Sequence, residues 1–201
     1  ELMNYFKPAE PGQRVRAIPG EGLDIPIWIL GSSLFGAQLA AMLGLPYAFA
    51  SHFAPQQMME AIRVYRESFR PSGQLAEPYV MLGFNCIAAD SDDEAQLLAT
   101  SVQQAFVALR TGQPTKLPPP KPGYAETLPL QSRAILRSVL SCSAIGSPEM
   151  ARGQVAEFVD RYLDLPFDVS ETIFIATASD FYRVPRSLRE LLIEIRIAGY
   201  T

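Results

Sequence analysis

Residues 26–46 read Pro26-Ile27-Trp28-Ile29-Leu30-Gly31-Ser32-Ser33-Leu34-Phe35-Gly36-Ala37-Gln38-Leu39-Ala40-Ala41-Met42-Leu43-Gly44-Leu45-Pro46, and the order of residue types in them sets the architecture to expect. Residues 26–30 form a short continuous apolar run, the pattern of a strand buried on both faces. Gly31-Ser32-Ser33 ends it. The Ala- and Leu-rich residues 34–43 then predict a helix, closed by Gly44 where a left-handed residue belongs and by Pro46, which cannot continue a helix. A strand that runs straight into a helix is the unit of a parallel sheet, because the chain needs a crossover before the next parallel strand begins.

The same rhythm continues downstream. Residues 46–50 form the next strand candidate, ending in Ser51-His52-Phe53-Ala54, and Pro55 sits at a first helical position. Met58, Ile62, Tyr65 and Phe69 recur at helical spacing and mark one buried face, which Pro71-Ser72-Gly73 stops. Residues 78–88 predict a third, longer strand. Ser91 and Glu94 predict a capping box, followed by an apolar stripe of Ala95, Leu98, Val102, Phe106 and Leu109. Between residues 112 and 129, Pro114, Pro118, Pro119, Pro120, Pro122 and Pro129 exclude a central strand or a helix interior, so this is a surface excursion. A short helix follows at residues 131–140. Gly146-Ser147-Pro148-Glu149 starts another helix, with an N-cap serine, a proline at N1 and an acid in the first turn, whose inward positions are Ala151, Val155, Phe158, Val159 and Tyr162. Thr172-Ile173-Phe174-Ile175-Ala176 reads as the fourth strand and residues 185–195 as a terminal helix. Upstream, residues 1–6 read as the end of an amphipathic helix. Residues 8–24, rich in Pro and Gly, form a loop with a short hairpin around Arg14-Val15-Arg16-Ala17-Ile18.

Four strand–helix units predict an α/β fold with parallel strands and right-handed crossovers. The pattern is compatible with half of a (β/α)8 barrel and with a four-stranded doubly wound domain. The organisation expected is one partial domain over residues 1–201: a lead-in over 1–25, three βα units over 26–111, the Pro-rich excursion over 112–130 and a last unit over 131–201. With 201 residues, 48% hydrophobic and 19% charged, the chain has the composition of a globular domain with one core. A net charge of −4 and the absence of a basic run argue against nucleic-acid binding. Cys86, inside the apolar run of the third strand, reads as a buried reduced thiol. Cys142 is the other cysteine and His52 the sole histidine, so no zinc-ligand spacing exists. No secretory signal or membrane-length apolar run is present, which places the chain in the cytoplasm by default. The first residue, Glu1, suggests a fragment or a processed product.

In a parallel α/β protein, ligands gather at the carboxyl ends of the strands. Two segments stand there. Gly31-Ser32-Ser33 brings backbone amides, hydroxyls and the positive end of a helix dipole to one point, which suits a phosphate; Ser33 as a plain N-cap is the simpler alternative. Ser51-His52-Phe53 places an imidazole at the end of the next strand, where it could act on a ligand near neutral pH. Arg14 and Arg16 lie in a loop and read as solvated. The acidic group Asp90, Asp92, Asp93 and Glu94 is explained by its place at a helix start. Trp28, Phe49 and Phe84 read as core, and Asp180-Phe181-Tyr182 lies after the fourth strand.

The run from Leu30 to Pro46 resembles the segment around the fifth strand and helix of bacterial-luciferase-like flavin monooxygenases. The residues Tyr47-Ala48-Phe49-Ala50-Ser51-His52-Phe53-Ala54-Pro55 resemble the sixth strand of one subgroup, and Gly146-Ser147-Pro148-Glu149 is similar to the helix start before the family's last strand. The likeness extends from about Pro26 to about Phe181. It implies a (β/α)8 barrel represented by its carboxyl-terminal half, strands five to eight, with the first four absent. It also implies reduced FMN as cofactor, dioxygen and an unidentified organic substrate as reactants, and NAD(P)H or a separate flavin reductase as electron source. By the same likeness Gly31, Ser32 and Ser33 would hold the flavin phosphate, although relatives carry an acid where Ser32 stands. His52 is the catalytic candidate from its place at the strand end, with a packed or solvated histidine as the simpler alternative. No metal is implied. Half a barrel leaves open edges and an uncovered interior, so a homo-oligomer and an inactive fragment are expected. The alternatives are a non-catalytic, oligomerising flavin-binding protein and a phosphate-binding α/β domain unrelated to flavin.

Overall fold

The structure is a computed structural model that describes residues 2–163. The expected strand at 172–176 and helix at 185–195 lie outside these residues, as do Asp180, Phe181 and Tyr182. Contacts divide the chain into two compact units, residues 1–83 and 84–201.

The first unit contains α1 (Leu2–Tyr5), β1 (Ile29–Gly31), α2 (Leu34–Leu43), β2 (Tyr47–Phe49), α3 (Met58–Ser68) and β3 (Val80–Leu82). Its three strands are parallel in the order β1-β2-β3, with Leu30, Ala48 and Met81 in register. The helix predicted after the Gly-Ser-Ser corner forms over Leu34–Leu43, and Gly44 closes it in the left-handed region at φ 63° and ψ 38°. The Gly44 N–H donates to the carbonyls of Ala40 and Ala41, so the last turn is satisfied. Helix α2 packs on α3 and on β1. Ala37, Ala40 and Ala41 are fully buried in that packing, and their small side chains let the helix axis approach its neighbours closely. From the other elements, Tyr47, Phe49, Met58, Ala61, Ile62 and Tyr65 complete the core. The Tyr65 hydroxyl donates to the Leu45 carbonyl at 2.9 Å and accepts from the Tyr79 N–H at 3.1 Å, which makes burial of a polar group affordable.

Alternation across the sheet sends Tyr47 and Phe49 toward the helices and Leu30, Ala48 and Met81 to the other face. Leu30 is 74% exposed and Met81 45% exposed, so that face carries large apolar side chains in contact with solvent. Trp28 precedes β1 and is 36% exposed, stacked edge-on against Tyr79 at 5.5 Å; it is not a core residue. The hairpin expected near residues 14–18 does not form. Arg16 is instead held by Glu21 through two hydrogen bonds of 2.6 and 2.7 Å, and the chain turns between them.

The long third strand expected over 78–88 is two strands. β3 pairs with β2, while β4 (Asn85–Ala88) belongs to the second unit and pairs in parallel with β5 (Ser143–Gly146). The break falls at Gly83, whose N–H bonds the last residue of β2 and whose carbonyl bonds the segment after it. Strand β5 has no apolar run, only Ile145 among small residues, so hydrophobic periodicity does not reveal it. The second unit also holds α4 (Asp92–Arg110), α5 (Tyr124–Thr127), α6 (Leu130–Val139) and α7 (Pro148–Leu163). Ser91 caps α4 by accepting from the Glu94 N–H at 3.2 Å. The buried face of α4 departs from the expected stripe: Ala95, Ala99, Thr100, Ser101 and Gln103 are buried, whereas Leu98 is 40% exposed. The cause is the Pro-rich excursion, which lies along α4 and needs partners for its backbone. Thr100 Oγ1 accepts from the Lys121 N–H at 2.8 Å, and Gln104 Nε2 donates to the Pro119 carbonyl at 3.0 Å. Neither cysteine is disulfide-bonded; Cys142 is buried but Cys86 is exposed, because strand alternation turns it away from the helices.

A Cβ at Gly44 would collide with the Arg70 carbonyl oxygen and approach Ser72 Cβ to 2.6 Å, in a backbone conformation that already disfavours any side chain. Gly44→Ala is expected to lower stability by about 2–4 kcal/mol, combining left-handed strain with overpacking. Urea unfolding followed by circular dichroism measures it, and a loss below about 0.5 kcal/mol would contradict the packing described.

Candidate functional site

The carboxyl edge of the β1-β2-β3 sheet carries both segments singled out in the sequence. Strand β1 ends at Gly31, whose carbonyl accepts from the Ala50 N–H at 2.9 Å. Ser33 takes the N-cap conformation of α2, with φ −142° and ψ 167°, yet its hydroxyl makes no capping hydrogen bond. Ser91 and Ser147, at the starts of α4 and α7, do use their hydroxyls, accepting from Glu94 N and Met150 N at 3.2 and 3.4 Å. The hydroxyl of Ser33 is therefore not used as a helix cap, and the start of α2 lacks the side-chain cap that the other two helices have.

This corner is braced from below. A Cβ at Gly31 would lie 3.5 Å from Gly36 Cα, and one at Gly36 would lie 3.3 Å from Tyr47 Cε2, so the helix start sits against the strand end with only an aromatic edge between. The Tyr47 hydroxyl donates to the Ser33 carbonyl at 3.1 Å. Tyr47 is fully buried, and burial pushes its hydroxyl up to about 12. Sequence reasoning passed over Tyr47 and Gly36. The available signal was a tyrosine in a doubly buried strand, since such a hydroxyl must find a partner.

His52 follows β2 at the same edge. Its N–H donates to the Gly83 carbonyl at 3.1 Å, and the buried Ser51 hydroxyl donates to the same oxygen at 2.5 Å. The half-buried imidazole lies on Gly83, where a Cβ would overlap Nδ1 and come within 2.7 Å of Cε1. Gly31, Ser32, Ser33 and His52 thus stand at one sheet edge, on the ends of two neighbouring parallel strands.

The second unit has a corner of similar construction that its own carboxylate fills. At Gly146-Ser147 the Ser147 N–H donates to Asp92 Oδ1 at 2.6 Å, and this N–H holds the Asp92 carboxyl below the usual carboxylate range. The depression beside it is lined by Asp92, Glu149 and Glu157 together with Ser147 and Gln154, so an anion would meet negative charge. The acidic cluster at the start of α4 is thereby explained in part by a cap across two helices. Among the described residues, no group of three or more His, Cys, Asp or Glu could hold a metal, and no helix is long and apolar enough to cross a membrane.

Parallel strands feeding helices define an α/β protein, the class of fold whose ligands gather at the carboxyl edge of the sheet. The chain belongs to the luciferase-like monooxygenase family, whose model matches residues 4–165. That match begins upstream of the resemblance described above and ends before Phe181. An uncharacterized protein of Bacillus subtilis, YvbT, is 48% identical over 160 residues, covering 79% of this chain and 48% of its own length. A luciferase-like monooxygenase of Escherichia coli K12 is 47% identical over 152 residues, covering 76% and 45% respectively. The crystal structure of apo-MsnO8 superposes with a TM-score of 0.53 at 27% identity, covering 74% of this chain and 46% of that one. The chain spans about half the length of these relatives. A short similarity of another kind joins 48 residues to the Lon protease of Fervidobacterium nodosum at 46% identity, covering 24% of this chain and 6% of that protein.

Because the folded state keeps Tyr47 protonated up to about 12 while an unfolded tyrosine ionises near pH 10, its contribution to stability is complete below about pH 10 and is lost as the pH climbs toward 12. Tyr65 is raised by burial as well and acts in the same direction. Urea midpoints measured across that interval should fall for the native chain and fall less for Tyr47→Phe; equal slopes would show that Tyr47 is not buried as described.

Proposed function

We propose that this chain is the carboxyl-terminal half of the barrel of an FMN-dependent monooxygenase, a single partial domain in which Gly31, Ser32 and Ser33 hold the flavin phosphate. The observation that carries the reading is the unspent Ser33 hydroxyl at the open start of α2. A phosphate dianion fits this corner on three grounds: the amides and hydroxyls are donors, the helix dipole is positive there, and among the described residues the corner has no counterpart of the Asp92 carboxylate that fills the other helix start. Bound in reduced form, FMN supplies the electrons with which dioxygen is activated for insertion into an organic substrate. The chain's own residues bind and orient. Tyr47 fixes the Ser33 carbonyl, Gly31 and Gly36 keep the strand end and helix start in contact, and His52 offers an imidazole at the neighbouring strand end as the catalytic group. NAD(P)H, used directly or through a flavin reductase, is the electron source in this reading.

The exposed Leu30 and Met81 support self-association of the isolated chain, because an apolar sheet face in water favours cover by a second copy. No oxygenase turnover is expected from the 201 residues alone.

Titrating the chain into FMN and into riboflavin, followed by flavin fluorescence, tests the site. Tighter binding of FMN than of riboflavin is expected, with Ser33→Ala weakening FMN about tenfold, the worth of one hydrogen bond to a charged group, and leaving riboflavin unchanged. Equal binding of the two flavins would remove the phosphate from this corner.

A further inference from the structure

We infer that His52 carries its neutral-state proton on Nε2, and that Gly83 is the positioning residue that enforces this tautomer. The backbone that carries the imidazole is tied to Gly83. Three hydrogen bonds stitch the end of β2 and the segment after it to that residue: Gly83 N to the Phe49 carbonyl at 2.9 Å, His52 N to the Gly83 carbonyl at 3.1 Å and Ser51 Oγ to the same carbonyl at 2.5 Å. The ring lies on the bare Cα, in space that a Cβ would otherwise occupy. In this position Nδ1 is buried and has no hydrogen-bond partner.

A neutral imidazole has one donor nitrogen and one acceptor nitrogen. A proton on Nδ1 would be a buried donor without an acceptor, pressed toward the Gly83 Cα, and orphaned buried N–H groups are the rarer and costlier kind. An unprotonated Nδ1 leaves only a lone pair facing a Cα–H, a weakly favourable contact. The proton therefore resides on Nε2. That nitrogen is not among the buried unpartnered atoms, and the residue is half-buried, so Nε2 is the ring atom that meets solvent or a ligand. His52 presents a donor at the carboxyl edge, suited to a carbonyl or anionic oxygen, and in its neutral form presents no base there. The placement of the proton stands apart from the flavin reading; only the ligand it donates to rests on that reading.

His52 is the sole histidine, so long-range 15N–1H correlation of the labelled chain reports one imidazole. With the imidazole neutral, the folded chain should show the Nε2–H pattern alone, and the urea-unfolded chain an averaged one. An Nδ1–H pattern, or averaging equal to that of the unfolded chain, overturns the assignment. Folded Gly83→Ala should move toward the averaged pattern, and an unchanged spectrum removes Gly83 as the positioning residue. Should that variant fail to fold, Ser51→Ala, which deletes one tie to the Gly83 carbonyl, decides the same point by the same criterion. In the FMN titration, His52→Gln, with an amide donor near Nε2, should bind within about twofold of the native chain, and His52→Asn about tenfold more weakly. The reverse order overturns the donor role, whereas no FMN binding by the native chain would sink the flavin reading and leave the tautomer to the spectra.

Discussion

The hydroxyl of Tyr47, donated to the carbonyl of Ser33 from inside the core, ties together three things that would otherwise vary independently: the end of β1, the conformation of the corner and the start of α2. Its ring fills the space that Gly31 and Gly36 leave by having no side chains, and it stacks at 5.5 Å on Tyr65, which in turn bonds Leu45 and Tyr79. A polar atom buried this deeply must be satisfied, so the corner has one backbone geometry available to it. The open amides at the helix start are a consequence of that constraint.

Two helix starts at the ends of parallel strands illustrate how one local pattern acquires different roles. At Ser147 the protein supplies its own anion, the Asp92 carboxylate, and the positive end of α7 is neutralised within the second unit. At Ser33 no such anion is supplied by the described residues. The electrostatic demand of a helix N-terminus is the same in both cases; what differs is whether a carboxylate of the same unit answers it. The 47–48% identity to relatives in Bacillus subtilis and Escherichia coli places this arrangement within the luciferase-like family without depending on any one residue.

Much of the architecture was legible from the order of residues. The alternation of apolar runs with amphipathic segments announced parallel strands, the bounds of α2 and its left-handed Gly44 followed from local signals, and the segments at residues 31–33 and 51–53 were placed at the carboxyl ends of their strands, where they lie. Other features were not legible. Strand β5 has one large apolar residue and offers no periodicity, and the run that looked like one long strand divides at Gly83 because that glycine bonds a segment far away in sequence. The stripe expected on α4 was misplaced since Leu98 looks inward by type, while the backbone of the Pro-rich excursion required Thr100 and Gln104. Cys86 and Trp28 were assigned to the core on the same reasoning by type, and both are exposed.

By itself, the chain's order of residues determined what is local: where strands and helices begin and end, which glycine must be left-handed, and which turns lie at the carboxyl edge. These follow from steric preference and hydrophobic period, which act over a few neighbouring residues. Only the tertiary structure decided that Ser33 keeps its hydroxyl unspent, that Tyr47 braces it, and that His52 lies on Gly83 with Nδ1 sealed from any partner. Those outcomes depend on groups brought together from distant parts of the chain, where burial and hydrogen-bond satisfaction, rather than propensity, select the arrangement.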